Sequence, residues 1–243
     1  MEFNFNNKTV FISGGTKGIG KKITEYFLDL GANVVTFGRS EVDNNTVLNT
    51  NFTFYKLDLS VKSSVNKIIS KIDSLDKIDI CINCAGINIV NDFIDSSIDE
   101  FEKVFTINFT RHYEILQIIA KKMSIENYGY ILNIGSIWSK FTRKGRVNYS
   151  ISKSALDSLT RSLALELSQF NILVNTLSPG FTETELTFNT NSKKDIDQIC
   201  ESIPLGRMAK TNEIAEFAIF LCSDFNKYIN GQNIIIDGGY TSI

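Results

Sequence analysis

Short apolar runs alternate along this chain with stretches in which apolar residues recur every three or four positions. Residues 9–13 (Thr-Val-Phe-Ile-Ser) form the first run. It ends in glycines and leads into residues 19–30, where Ile23, Phe27 and Leu30 keep helical spacing. Gly31 sits where a helix-terminating glycine belongs, and residues 33–37 (Asn-Val-Val-Thr-Phe) read as a second strand, so the chain opens with a βαβ unit. Five further runs have strand character: residues 52–57, 78–83, 130–134, 172–177 and 233–236. Helical patterns separate most of them. Seven strands alternating with helices predict an α/β fold, a doubly wound seven-stranded parallel sheet with helices on both faces. In such a sheet the ligand site lies at the strand carboxyl ends.

Two segments interrupt the alternation. Residues 40–51 are rich in Asn, Asp and Thr and short for a crossover helix, which predicts one turn of helix or a loop. Residues 182–203 are polar and lie between the sixth strand and a final helix at 212–222. They follow a strand carboxyl end, where either a lid over a ligand or a plain surface connection would sit.

A length of 243 residues suits one α/β domain spanning 1–243, and a formal net charge of -2 carries no polyanion-binding signature, so no nucleic acid is expected as a partner. Residues 1–8 lack the basic start and apolar stretch of a signal peptide, and no later apolar run reaches membrane-spanning length. No membrane partner is expected, and the reading is cytoplasmic. The four cysteines, Cys81, Cys84, Cys200 and Cys222, are too scattered for a disulfide framework. Cys81 and Cys84 have redox or metal spacing, but no second pair follows and the single histidine, His112, has no neighbouring ligand candidates. They are expected as small side chains at the end of a buried strand, and no metal site is expected.

The candidate chemistry lies elsewhere. Tyr149 and Lys153 stand four residues apart on one predicted helix, with Ser136 upstream. A phenol and an ammonium on one helix face form an acid/base if the cation favours the phenolate and lowers the tyrosine pKa. Taken singly, the pair also occurs as a half-buried ring beside a solvated charge on an amphipathic helix. Ser13-Gly14-Gly15-Thr16-Lys17-Gly18-Ile19-Gly20 occupies the first strand-to-helix turn, where glycines let a pyrophosphate approach backbone amides at the positive end of the helix dipole. The glycine spacing departs from G-x-G-x-x-G. After the second strand comes Phe37-Gly38-Arg39-Ser40, with no acid before Glu41. Arg39 offers a planar fork to a phosphate and Lys17 a second charge, which predicts NADP(H) as the cofactor.

Together these residues resemble the short-chain dehydrogenase/reductases in their single-domain, Rossmann-fold form, and the resemblance covers essentially the whole chain. The family's glycine loop is matched by Ser13 to Gly20, its Asp-Leu pair by Asp58-Leu59, and its Asn-Asn-Ala-Gly motif by Asn83-Cys84-Ala85-Gly86, with Cys84 replacing the second Asn. The family's catalytic Asn, Ser, Tyr and Lys fall on Asn108, Ser136, Tyr149 and Lys153. Pro179-Gly180 follows the sixth strand, Thr182 falls where the family often touches the nicotinamide carboxamide, and Asp237-Gly238-Gly239 closes the last strand. The resemblance implies cofactor contacts from Gly14, Thr16, Lys17, Gly18, Ile19, Gly20, Arg39, Asp58, Leu59, Asn83, Ala85, Gly86, Tyr149, Lys153, Pro179, Gly180 and Thr182. It also implies hydride transfer, with Tyr149 as proton donor or acceptor, Ser136 holding the substrate oxygen and Asn108 helping to hold a relay water.

For the substrate, overall similarity to 3-oxoacyl-acyl-carrier-protein reductases makes that activity one expectation. The arginines with which such reductases dock their carrier fall, however, on Asn127 and Phe170. The segment between Ser136 and Tyr149 is far more basic than is usual in those enzymes. Trp138 could stack on a sugar or ring, and Arg143, Lys144 or Arg146 could meet an anion; the segment could equally be a solvated loop or a subunit contact. The leading expectation is a small carbonyl or secondary alcohol, sugar-derived or anionic. A reading of another class is a non-catalytic NADP(H) sensor or partner-binding protein. Family habit implies a homotetramer or homodimer built on the helices that begin near Glu100 and Tyr149 and on the C-terminal segment.

Overall fold

A computed structural model describes residues 2–39 and 49–242. Seven strands, β1 (Thr9–Ser13), β2 (Asn33–Gly38), β3 (Phe52–Lys56), β4 (Ile80–Asn83), β5 (Gly129–Ile134), β6 (Ile172–Pro179) and β7 (Asn233–Ile236), form one sheet in the order β3-β2-β1-β4-β5-β6-β7. Every pairing is parallel. The fold is the expected doubly wound Rossmann type, and its strand order reverses between β1 and β4. Of the segment expected as a turn of helix or a loop, residues 40–48 lie outside the described residues.

Alternate strand residues face opposite sides of the sheet, and each set meets its own helices. On one face Val10, Ile12, Ile82 and Leu132 pack against Ile23 and Phe27 of α1 (Gly18–Asp29) and Ile214 and Ala218 of the helix Thr211–Leu221. On the other, Phe11, Val35, Cys81 and Val174 pack against Ile68 of α2 (Lys62–Asp73), Ile115 and Ile119 of the helix Arg111–Glu126, and Ala164 of the helix Val147–Leu167. Each fully buried Ile or Phe stabilises the fold by about 1.5–3 kcal/mol. Numbered in chain order, the remaining helices are α3 (Ile98–Phe105), α4 (Arg111–Glu126), α5 (Val147–Leu167), α6 (Glu185–Thr190), α7 (Lys193–Ser202) and α8 (Thr211–Leu221).

Two details fix the chemistry-bearing helices. A π-helical turn, Thr106–Thr110, joins α3 to α4 and places Asn108, fully buried, against the loop after β4. A buried hydrogen-bond chain clamps α5 to the sheet. Asn83 Nδ2 on β4 donates to Asn133 Oδ1 on β5 (2.7 Å), Asn133 Nδ2 donates to Thr160 Oγ1 on α5 (2.8 Å), and Thr160 shares a 2.7 Å hydroxyl contact with Thr176 on β6.

The polar stretch 182–203 is not irregular, as its composition suggested, but folds as α6 and α7. Thr184 Oγ1 accepts from Thr187 N (3.2 Å) at the start of α6, and Ser192 and Asp195 form a reciprocal capping box at α7. Ile199 and Ile203 then anchor α7 in a small cluster with Met208, Phe181 and Tyr240.

Candidate active site

A cleft of about 590 Å³ runs along the carboxyl ends of β1, β2, β4, β5 and β6. At one end stands the glycine turn. Gly14 has φ +71°, and a Cβ there would fall 2.9 Å from the Ala85 Cα; at Gly20 it would fall 2.2 Å from the Gly14 carbonyl oxygen, so the turn closes tightly only on glycine. No side chain caps α1 and its first turn holds no acid, which leaves the amides and positive dipole end of a twelve-residue helix open to an anion. Gly14, Thr16, Lys17, Gly18 and Ile19 line the cleft; Gly20 stands behind it. Arg39, exposed just after β2, and Asp58 and Leu59, after β3, line the same end.

Lys17 departs from expectation. Its ammonium pairs with Glu185 of α6 at 3.0 Å, across the cleft mouth. Asn83 departs as well. It is buried outside the cleft, with its amide committed to Asn133, because β4 ends one residue short of the opening. Ala85 and Gly86 do line the cleft, and so does Cys84, expected only as a small buried side chain. Cys81 is fully buried, and burial pushes both thiols up, that of Cys84 to about 11.

At the other end Ser136, Tyr149 and Lys153 converge, with Pro179, Gly180 and Thr182 beside them. The Tyr149 hydroxyl lies close enough to Ser136 for that hydroxyl to act on its titration, and Ser136 Oγ accepts from Trp138 N at 3.2 Å. Lys153 is almost wholly buried and donates to the Ile134 carbonyl at 2.7 Å. Burial lowers the Lys153 pKa to about 8, with Cys84 pulling weakly the other way. The expected effect of Lys153 on Tyr149 is corrected here. Burial raises the phenol above its ordinary value, the neighbouring Ser136 hydroxyl pulls it back, and the cation that lowers it further is Arg146, while the Lys153 Nζ stands 5.7 Å from the Tyr149 ring centre.

Asn108 lies outside the cleft wall. Its Oδ1 accepts from Ile87 N (2.8 Å), and its Nδ2 donates to the Ile87 carbonyl (2.9 Å) and to Ser152 Oγ (3.0 Å). Both amide hydrogens are committed, so in this arrangement the residue holds the loop after β4 against α5. His112, behind it, meets the Ala85 carbonyl at 2.8 Å, and burial lowers its pKa to about 4. Among the described residues no cluster of His, Cys, Asp or Glu is placed to hold a metal ion, and no helix is long and apolar enough to cross a membrane.

Of the three expected substrate contacts, Arg146 lines the cleft and Arg143 does not; Arg143 is exposed outside it. Trp138 lines the cleft but is held edge-on by Phe181 and Tyr240, at 6.0 and 6.1 Å between ring centres, which makes it a fixed wall. The structure adds Asn88, Phe181 and the α6 residues Glu185, Leu186 and Asn189, none of which stood out in the sequence. Only the first half of 182–203 borders the cleft; α7 packs behind it.

The family described as enoyl-(acyl carrier protein) reductase, a group within the short-chain enzymes, matches residues 14–241, nearly the whole chain. The chain is a short-chain dehydrogenase/reductase. This short-chain oxidoreductase is 34% identical to the 3-oxoacyl-acyl-carrier-protein reductase of Chlamydia pneumoniae over 99% of its own length and 100% of the relative's. It is 33% identical to an NAD-dependent glycerol dehydrogenase of Listeria innocua, over 99% of this chain and 96% of that one. Among solved structures, a gluconate 5-dehydrogenase from Burkholderia cenocepacia, in complex with NADP and tartrate, superposes with a TM-score of 0.91 at 26% identity, covering 100% of this chain and 98% of the other.

Proposed function

We propose that this protein is an NADP(H)-dependent oxidoreductase that interconverts a small carbonyl compound, anionic or sugar-derived, and its secondary alcohol. The observation that carries the reading is one continuous cleft, with the uncapped start of α1 and Arg39 at one end and Ser136, Tyr149 and Lys153 together at the other. When bound, the nicotinamide supplies or accepts the hydride. The chain's own part is to bind, orient and move one proton. The amides at Gly18 to Gly20 and the helix dipole favour the pyrophosphate, Asp58 and Leu59 border the adenine end, and Lys153 and Thr182 face the nicotinamide end. Tyr149 gives its proton to the carbonyl oxygen or takes one from the alcohol, and Ser136 holds that oxygen. The names of the relatives divide between NAD and NADP. Arg39 favours NADP(H), because a guanidinium at the end of β2 suits a 2'-phosphate where a carboxylate would suit free ribose hydroxyls.

A second reading, 3-oxoacyl-acyl-carrier-protein reductase, is favoured by the Chlamydia relative. Fluorescence titration with NADPH and NADH, followed by NADPH oxidation against small carbonyl acids, sugars and acyl-carrier thioesters, tests both. Equal affinity for the two cofactors removes the NADP assignment, and fast turnover confined to carrier-bound thioesters favours the second reading.

The expected assembly with a second copy of the chain also has a candidate surface. Phe101, Phe105, Phe109 and Tyr113 form a ladder of rings from α3 through the π turn to α4, with centres 5.5, 5.1 and 6.2 Å apart. Ile98 of α3 (67% exposed) and Leu165 of α5 (80%) leave further apolar surface on α3 and α5. Light scattering of the parent and of Phe105→Glu checks the surface: the parent is expected as a dimer or tetramer and the variant as a smaller species.

A further inference from the structure

Four cations stand between Ser136 and Tyr149, and three are occupied or turned away. Lys140 pairs with Asp157 at 3.1 Å, and Lys144 with Asp92 at 2.9 Å. Arg143 is exposed outside the cleft, where its charge acts on Asp195 at the start of α7. Arg146 remains. It lines the cleft, is partly buried, and among the described residues its guanidinium has no hydrogen bond or ion pair. A partly buried guanidinium without a counterion sacrifices solvation for nothing within the fold. It caps the start of α5 three residues before Tyr149, and its charge acts on the Tyr149 phenol.

A second side chain in the same cleft is also unmatched. Asn88, on the loop after β4, has a buried Oδ1 with no hydrogen-bond partner. Buried acceptors are nearly always satisfied in folded proteins, so an orphan on a residue that lines a cleft points to a donor that arrives with a ligand. A hydroxyl group is the simplest such donor.

We propose that Arg146 and Asn88 form a subsite for a hydroxylated oxo acid, with the substrate carboxylate on Arg146, a substrate hydroxyl on Asn88 and the reacting carbonyl at Tyr149. The assignment rests on the cleft being a hydride-transfer site, and it narrows the substrate class of that site. A single planar guanidinium matches a carboxylate through two parallel hydrogen bonds. A phosphate dianion would call on a second cation, and no other cation of the segment between Ser136 and Tyr149 lines the cleft. The short step from Arg146 to Tyr149 limits the substrate to compounds whose carboxylate and reacting carbon are a few bonds apart. In reduction, the carbonyl carbon receives the hydride of the reduced nicotinamide and the oxygen receives the Tyr149 proton. The products are a hydroxy acid and the oxidised nicotinamide; oxidation is the reverse.

The test uses matched pairs, aldonates of four to six carbons and alditols of the same skeleton, oxidised with NADP+. Phosphorylated alditols form a third arm, and the enzymes are the parent, Arg146→Gln and Arg143→Gln. The parent is expected to favour the acids. Arg146→Gln should raise KM for the acids by about 10- to 100-fold, the scale of a lost charged hydrogen bond, whereas Arg143→Gln, which removes the same charge from the same loop, should keep the preference. Asn88→Leu should raise KM for polyhydroxy acids more than for monohydroxy acids of equal length. An equal loss in Arg143→Gln would reveal diffuse attraction instead of contact, and a preference for phosphorylated or neutral alditols would overturn the assignment. Calorimetry with tartrate against the NADPH-saturated protein gives a readout free of turnover. Binding to the parent that is lost in Arg146→Gln supports the subsite, and no binding to the parent overturns it. If tartrate binds in this way while no acid or alditol is turned over with either nicotinamide, the subsite stands and the hydride-transfer reading fails.

Discussion

Lys153→Met offers a test of the site that needs no substrate. In the folded protein Lys153 is almost wholly buried and titrates at about 8, against an ordinary 10.5. At about 1.4 kcal/mol per pH unit, the charged form carries roughly 3 kcal/mol of desolvation cost, present in full below pH 8. Between pH 8 and 10.5 the unfolded chain holds a proton that the folded chain has released. Stability gained through this residue therefore rises with pH across that window and levels off above it. Methionine keeps the length and removes the titration, but leaves the Ile134 carbonyl without its 2.7 Å donor, an offset of about 1–3 kcal/mol that does not depend on pH. The slope is thus more informative than the value at any one pH. Buried Cys81, Cys84 and Cys222, whose pKa values are raised, act in the opposite direction as pH climbs, so only the parent-minus-variant difference isolates Lys153. Urea unfolding at half-unit steps from pH 7 to 10, followed through the single tryptophan, Trp138, supplies that difference. The parent should gain on the variant by roughly 2–3 kcal/mol between pH 8 and 10. Parallel curves across that range would refute the argument that the fold holds this ammonium against its desolvation.

Three further outcomes are expected. Tyr149→Phe keeps the ring volume, so it should fold and bind NADPH while turnover drops by about 10²-fold or more; near-parental turnover would displace Tyr149 from its proposed role. Arg39→Ala should weaken NADPH binding by roughly 1.5–3 kcal/mol and leave NADH nearly unchanged in paired fluorescence titrations. Thr160→Val removes the hydroxyl that joins Asn133 and Thr176, and should lower stability by about 1–3 kcal/mol in the same urea assay, because Asn133 Nδ2 is left unpaired in the core.

The sheet was legible because burial on both faces demands continuous apolar strands, and β1, β2 and β7 begin and end within a residue of their expected bounds. Tyr149 and Lys153 were legible because helical spacing puts them on one face of α5, whereas Ser136 was placed by the resemblance and reaches them from the end of β5. What escaped depends on partners remote in sequence. Asn83 looked like a cofactor contact because nothing local shows that Asn133, fifty residues on, takes its amide. Lys17 looked free because its counterion, Glu185, comes from a helix 168 residues away. The helices within 182–203 had a local signal, Ser192 and Asp195 at capping-box spacing, that a polar composition obscured. Asn88 had none, since an unsatisfied acceptor is defined only once its surroundings exist.

The Lys17–Glu185 pair makes cofactor binding at that corner an exchange of counterions. A 2'-phosphate near the glycine turn meets an ammonium that already holds a carboxylate, so Lys17 contributes only the difference between two anions. The exchange is also reciprocal. Whatever Glu185 withholds from the phosphate, the phosphate withholds from Glu185, and with it from the start of α6. Both partners are well exposed, at 58% and 71%, and such a pair is worth about 0–1 kcal/mol. That is small enough for an arriving dianion to outbid and large enough to bias where α6 rests before one arrives.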